Sequence, residues 1–306
     1  MPTSCGQRIQ FEHVLFLTDF SEPSSDVLPV VAGIARAYGS VVHVLHALIP
    51  SAQTDIAPRI TRAMLDAEEE LAKMEMERVD AQMMGLPHDT TIERGPSVWE
   101  VACTQLKKHP VNLVVLGTHG RTGFRKAFMG SAAEEVFRRA TVPVVVQGRL
   151  ARAAAHHGGR FRCVLFATDF KAVSAVATPY AVSLAQENQA RLILFHVLPQ
   201  PKVRKKADSQ DFSVAETLHN LGQLLPSDAQ LWCRPQPCVA HGAPAHQIVA
   251  TARRESADLI VLGIRGVGVL REMQVRVQNN VAYDVIAHAP CPVLTVRGLL
   301  RERGRT

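Results

Sequence analysis

The sequence predicts an α/β protein built of two doubly wound, five-stranded parallel sheets, and three observations point to it. Short apolar runs alternate with segments of helical period, the pattern of parallel strands covered by helices on both faces. One set of landmarks occurs twice in the same order, which marks a duplicated unit. A glycine-rich turn, Gly117-Thr118-His119-Gly120, follows the apolar run Leu113-Val114-Val115-Leu116 and leads, after nine residues, to Gly130-Ser131 at the start of a helix-like segment. At 306 residues the chain accommodates about two domains, each large enough for its own core.

In the first copy, apolar runs place strands near 12–17, 41–46, 88–93, 112–116 and 143–147, and helical periodicity places helices near 24–38, 57–84, 97–108 and 131–139. The long middle segment carries Met64, Leu65, Leu71, Met74 and Val79 among charges and is read as an amphipathic surface helix with these as its apolar face. The second copy repeats the scheme. Phe11 to Phe20 recurs as Phe161 to Phe170, differing only at Glu12/Arg162, His13/Cys163 and Leu17/Ala167. His46 pairs with His196, Gly95-Pro96 with Gly242-Ala243-Pro244, Leu113 to Gly120 with Leu259 to Gly266, and Val142 to Val146 with Cys291 to Val296. Its middle helix is shorter, near 211–225, after the basic stretch Lys202 to Lys206. The expected domains are 1–148 with the intact glycine motif and 161–298 with a degenerate one, joined by a linker over 149–160 and followed by a basic tail over 299–306.

Composition narrows the function. Hydrophobic residues at 47% and charged residues at 20% fit a soluble globular protein. No run of about 18 uncharged apolar residues is present, so no membrane span is expected. Met1 to Gln10 does not read as a signal peptide, so a cytoplasmic location is expected. Cys5, Cys103, Cys163, Cys233, Cys238 and Cys291 are irregularly spaced and read as reduced thiols. The net charge of +6 favours anionic partners, but aromatics at 5% are too few for a base-stacking platform, and nucleic acid is not expected.

The chemistry sits at the strand ends. Ligands in doubly wound sheets bind beyond the carboxyl ends of the strands, where the strand order reverses. Asp19 ends the first strand and Gly117 the fourth, so both line one crevice if those strands are neighbours. Asp19 can accept from a ribose hydroxyl or an adenine amino group. Gly117 and Gly120 let the backbone approach phosphate oxygens, and Gly130-Ser131 opens a helix whose N–H groups and dipole favour an anion. Ser131 and Glu134 form an S-x-x-E capping box, while Arg121, Arg125 and Lys126 in the intervening loop can neutralise phosphate charge. The competing reading, in which the glycines only make tight turns and Asp19 only caps a helix, does not require the complete spacing to occur in this context.

The chain resembles a tandem universal stress protein over nearly its whole length. The resemblance rests on Thr18-Asp19-Phe20-Ser21, His46-Ala47, Gly95-Pro96, the G-2x-G-9x-G-S pattern of the family's ATP-binding branch, and Val142-Pro143-Val144-Val145-Val146. It implies a Rossmann-like fold of the adenine nucleotide alpha hydrolase type with strand order 3-2-1-4-5 in each repeat. It also implies adenosine against Thr18, Asp19 and the Ala47 backbone. Phosphates would lie against Gly117, His119, Gly120, Gly130, Ser131 and Ala132, with Mg²⁺ held by phosphate and water. Single-domain relatives dimerise through the fifth strand, so the repeats are expected to pair as a pseudo-dimer within the chain, with a homodimer of chains also open. The second repeat keeps Asp169, His196-Val197, Gly263 and Gly266, but Arg276-Val277 or Asn279-Asn280 stands where Gly-Ser is required. Its site is expected to be empty, weak or changed.

Two further groupings carry less. Cys233, Cys238, His241 and His246 have zinc-like spacing, but an extended strand sends neighbouring side chains apart. His46 and His196 are read as pocket walls held by local hydrogen bonds. No catalytic base is identified, so the expectation is an ATP-binding signalling or protective module that is not an enzyme. ATP would order Arg121 to Met129 and alter a surface seen by an unidentified protein partner. The alternatives are a slow ATP-hydrolysing or adenylyl-transferring enzyme and a nucleotide-free scaffold.

Overall fold

Strand β1 (His13–Leu17) shows why this chain makes doubly covered sheets: Val14, Leu15 and Phe16 are wholly buried, with no polar residue alternating between them. A computed structural model describes residues 9–50, 58–118, 129–151, 159–200, 213–225, 233–265 and 281–298, with 58–61 given by their backbone alone. The chain divides into two compact units, Phe11–Val144 and Met1–Gln10 with Val145–Thr306.

In the first unit, β1 is followed by α1 (Glu22–Ser25), α2 (Leu28–Tyr38), β2 (Val41–Leu48), α3 (Pro58–Gln82), β3 (His88–Arg94), α4 (Val98–Lys108), β4 (Leu113–Gly117) and α5 (Ser131–Arg139). The strand order is β3-β2-β1-β4, and every pair is parallel.

Two expectations are corrected here. The segment near 24–38 is not one helix: it breaks at Asp26 and Val27, because Pro29 stands in the first turn of α2 and has no N–H to continue the ladder from α1. The inward face of α3 is Ala72, Met76, Val79 and Met83, whose last member lies just past the helix. Of the residues assigned to its apolar face, Val79 is buried, whereas Met64, Leu71 and Met74 are exposed. The helix carries apolar residues on two stripes, and the sheet takes the one spaced four, three and four.

The second unit contains β5 (Val144–Gln147, all but its first residue), β6 (Cys163–Ala167), α6 (Ala172–Ala175), α7 (Thr178–Asn188), β7 (Arg191–Leu198), α8 (Val214–Gly222), β8 (Arg234–His241), α9 (Pro244–Arg254), β9 (Leu259–Arg265), α10 (Val281–His288) and β10 (Val293–Gly298). Its order is β5-β10-β9-β6-β7-β8, with β10, β9, β6, β7 and β8 mutually parallel along the sheet. Numbered within their own repeat, β8-β7-β6-β9-β10 run 3-2-1-4-5, as the resemblance implies. Ser183 Oγ donates to the Ile9 carbonyl at 3.3 Å, which ties the segment before Phe11 to this unit. No described helix is long and apolar enough to cross a membrane. The described cysteines are free thiols.

Candidate functional site

In the first unit the sheet order reverses between β1 and β4, so the crevice of a doubly wound fold opens at their carboxyl ends. Leu17 stands opposite both Leu45 and Leu116, which brings Thr18-Asp19, His46-Ala47 and Gly117-Thr118 to one edge of the sheet. Thr18 is buried, and its N–H donates to the Leu45 carbonyl at 3.0 Å.

Beyond Thr18 the backbone turns sharply, with Phe20 in the left-handed region at φ 60°. That conformation costs an L-residue about 1–2 kcal/mol, and a set of short hydrogen bonds holds it. Phe20 N–H donates to Thr18 Oγ1 at 3.1 Å, and Ser24 Oγ donates to the same oxygen at 2.9 Å. Asp19 Oδ1 accepts from Ser21 N–H at 3.1 Å and Ser21 Oγ at 2.6 Å. Ser21 in turn caps α1, accepting from Ser24 N–H at 3.3 Å. The half-buried Asp19 carboxylate is therefore held in one orientation at the crevice. His46 Nδ1 donates to the Thr18 carbonyl at 2.8 Å, and its ring lies 4.2 Å from that of Phe20. This imidazole braces the strand end and forms a wall. The left-handed Phe20 is a feature of the site that the sequence reading missed; the recurrence of Thr-Asp-Phe in both repeats was the available signal.

The second repeat builds the same turn. Phe170 has φ 59°, its N–H donates to Thr168 Oγ1 at 3.0 Å, and His196 Nδ1 donates to the Thr168 carbonyl at 2.7 Å. Asp169 differs from Asp19 in its surroundings. Lys171 stands where the first repeat has Ser21, and its Nζ lies 3.3 Å from Asp169 Oδ2. Burial acts to raise the Asp169 carboxyl, but hydrogen bonds from Ser174 and Lys171, with the lysine's charge, outweigh it and hold the group below the usual carboxylate range.

The glycines have separate roles. A Cβ at Gly117 would meet the Pro23 carbonyl oxygen at 3.3 Å, and one at Gly263 would meet the Val173 oxygen at 2.4 Å. In both repeats this glycine lets the short helix after the first strand lie on the fourth. Gly130 differs: its N–H donates to the Thr118 carbonyl at 2.7 Å, joining the start of α5 to the end of β4. Gly130 is the N-cap of α5, in extended geometry and without a side-chain cap. The expected Ser131–Glu134 capping box is thus not formed: Ser131 is already inside the helix and exposed, and Glu134 reaches forward to Arg138 at 3.6 Å. The N–H groups of Ser131, Ala132 and Ala133 precede the first i→i−4 bond, made by Glu134 to Gly130, so this helix start presents donors to an anion.

His119, Gly120, Arg121, Arg125 and Lys126 lie outside the described residues, as do Gly266, Arg276, Val277, Asn279 and Asn280. Cys233, Cys238, His241 and His246 do not gather into a metal-binding group among the described residues. Burial pushes the Cys233 thiol up to about 11, and His241 Nδ1 donates to the Pro199 carbonyl at 3.1 Å.

The universal stress protein family model matches residues 10–147 and again 160–297. The chain is 31% identical over 150 residues to the universal stress protein YxiE of Bacillus subtilis, covering 45% of this chain and 99% of that protein. It is 30% identical over 148 residues to the universal stress protein MJ0531 of Methanocaldococcus jannaschii, covering 46% of this chain and 85% of that one. In fold it is similar to the crystal structure of a universal stress protein from Archaeoglobus fulgidus, with a TM-score of 0.72 at 21% identity over 96% of this chain and 98% of that one. Two successive family matches on two parallel α/β repeats establish that the chain belongs to the universal stress protein family, as a tandem member.

Proposed function

We propose that this protein binds ATP with Mg²⁺ in its first repeat and acts as a cytoplasmic nucleotide-gated signalling or protective module. The observation that carries the proposal is the convergence of an oriented carboxylate, Asp19, and an uncapped helix start, Gly130-Ser131-Ala132, on the switch point of one sheet. Asp19 takes hydrogen bonds from the nucleoside, with Thr18 and the Ala47 backbone beside it. The α5 N–H groups and the β4 end receive the phosphates, and Gly130 presents no side chain in front of those donors. The donor set fits a polyanion, and Mg²⁺ is held through the phosphates, supplying charge neutralisation.

Binding is the function, and any hydrolysis is slow. His46 gives its Nδ1 proton to the Thr18 carbonyl and its ring face to Phe20, and it serves as a wall of the crevice. The second repeat is a weak or empty site, since Lys171 already engages Asp169 and no Gly-Ser pair follows its glycines. Free thiols fit a reducing compartment. A protein partner reads the loaded state. Mass spectrometry of the purified protein, followed by a turnover assay, tests this reading. Bound or readily acquired adenine nucleotide with negligible turnover supports it, protein that takes up no ATP sinks it, and rapid turnover assigns an enzyme instead.

A further inference from the structure

We propose that the first repeat carries a second ligand site, for a divalent transition-metal ion such as Zn²⁺, formed by His43, Asp89 and His109. These residues come from β2, β3 and the end of α4, at the amino-terminal edge of the sheet, away from the crevice described above. One ligand atom from each lies within 4.8 Å of the other two. His43 Nδ1 is 2.7 Å from Asp89 Oδ2, and the His109 ring lies over that of His43 with centroids 3.9 Å apart. Two imidazoles and a carboxylate are a donor set for a borderline divalent ion, with remaining positions for water.

The surroundings suit this chemistry. His43 Nε2 is 3.0 Å from His13 Nδ1, with the two rings nearly parallel at 6°. When His43 binds an ion through Nδ1, its Nε2 carries the proton and donates to His13, the outer hydrogen bond that fixes the tautomer of a metal-bound imidazole. The Asp89 side chain is 48% exposed, so an ion has a way in.

The second repeat shows that the fold does not require this cluster. By register and sequence position, His13, His43, Asp89 and His109 correspond to Cys163, Ile193, Gln236 and Glu255. There Arg191 fills the corner, with its Nη1 3.1 Å from Glu255 Oε2 and 3.2 Å from Gln236 Oε1. One arginine with its acceptors satisfies the same architecture, so three imidazoles around a carboxylate are a departure that packing does not demand.

The test uses the untagged full-length chain without nucleotide, so its outcome is independent of the ATP proposal. Zn²⁺ is titrated calorimetrically, and thermal unfolding is followed with and without Zn²⁺. His43 is buried, so Asp89→Asn and His109→Gln carry the test; circular dichroism verifies their folding. The expected result is one tight Zn²⁺ per chain, a rise in Tm with Zn²⁺, and at least tenfold weaker binding with loss of that rise in each variant. No tight Zn²⁺ binding, or equal affinity in the wild type and both folded variants, overturns the proposal and leaves the cluster a hydrogen-bonded histidine relay.

Discussion

Replacing Gly130 separates a phosphate-binding turn from a structural one. Its backbone has φ −65° and ψ 152°, open to any L-residue, so a substitution adds no backbone strain. Among the described residues, an added Cβ meets only the Thr118 carbonyl oxygen, at 3.2 Å. A shift of a few tenths of an ångström relieves that contact, so Gly130→Ala should cost the fold about 1 kcal/mol. Gly130→Val also sets two γ-methyls beside the first N–H groups of α5. A phosphate oxygen must come within about 3 Å of such a nitrogen to bond it, and a methyl carbon in the way holds it off. Losing one hydrogen bond to a charged group costs about 1.5–3 kcal/mol, or roughly tenfold to a hundredfold in affinity. Calorimetric titration with ATP and Mg²⁺, beside thermal unfolding to verify the fold, should show wild type, alanine and valine in descending affinity. A folded Gly130→Val protein with wild-type ATP affinity would refute the placement of phosphate at this helix start.

Asp19→Asn keeps an acceptor for Ser21, so stability should stay within about 0.5 kcal/mol while ATP affinity falls roughly tenfold; unchanged affinity in calorimetry would remove this carboxylate from the site. Gly263→Ala drives a Cβ to 2.4 Å from the Val173 oxygen and 2.5 Å from Ser174 Cα, whereas Gly117→Ala meets Pro23 at 3.3 Å. Urea unfolding should therefore report a loss of about 3 kcal/mol or more for the first and about 1 kcal/mol for the second, and equal losses would contradict the packing role. The Asp169 carboxyl lies lower in the folded chain than its ordinary 3.8, so the stability it contributes is present at neutral pH and is lost as pH falls from about that value through the folded one. Asp169→Asn should flatten the acid limb of the stability profile, and an unaltered limb would show that its hydrogen bonds contribute nothing.

Features set by local chemistry were legible in the sequence. The run Val14 to Leu17 could only be a buried strand, the duplication followed from the recurring Val-Leu-Phe and Thr-Asp-Phe, and α5 begins at Ser131 where the glycine spacing places it. Features set by tertiary partners were not. Ser131-x-x-Glu134 is a sound local cap, yet Gly130 takes the cap position because its N–H is drawn to Thr118. On α3 either apolar stripe satisfies the helical period, and only contact with the sheet selects Ala72, Met76, Val79 and Met83. The break between α1 and α2 is a local feature, legible from Pro29. His43, Asp89 and His109 are scattered along the chain; the strand register sets His43 beside Asp89, and the packing of the end of α4 brings His109 to them.

The claim that nucleotide binding belongs to the first repeat alone is tested most directly by titrating the full-length chain with ATP in the presence of Mg²⁺ and reading the stoichiometry. Asp19 and the Gly130-Ser131 helix start stand at one crevice, while Asp169 is paired with Lys171 and the other crevice has no matching Gly-Ser. One tight ATP per chain is the expected result; two equivalent sites, or no binding at all, would contradict it.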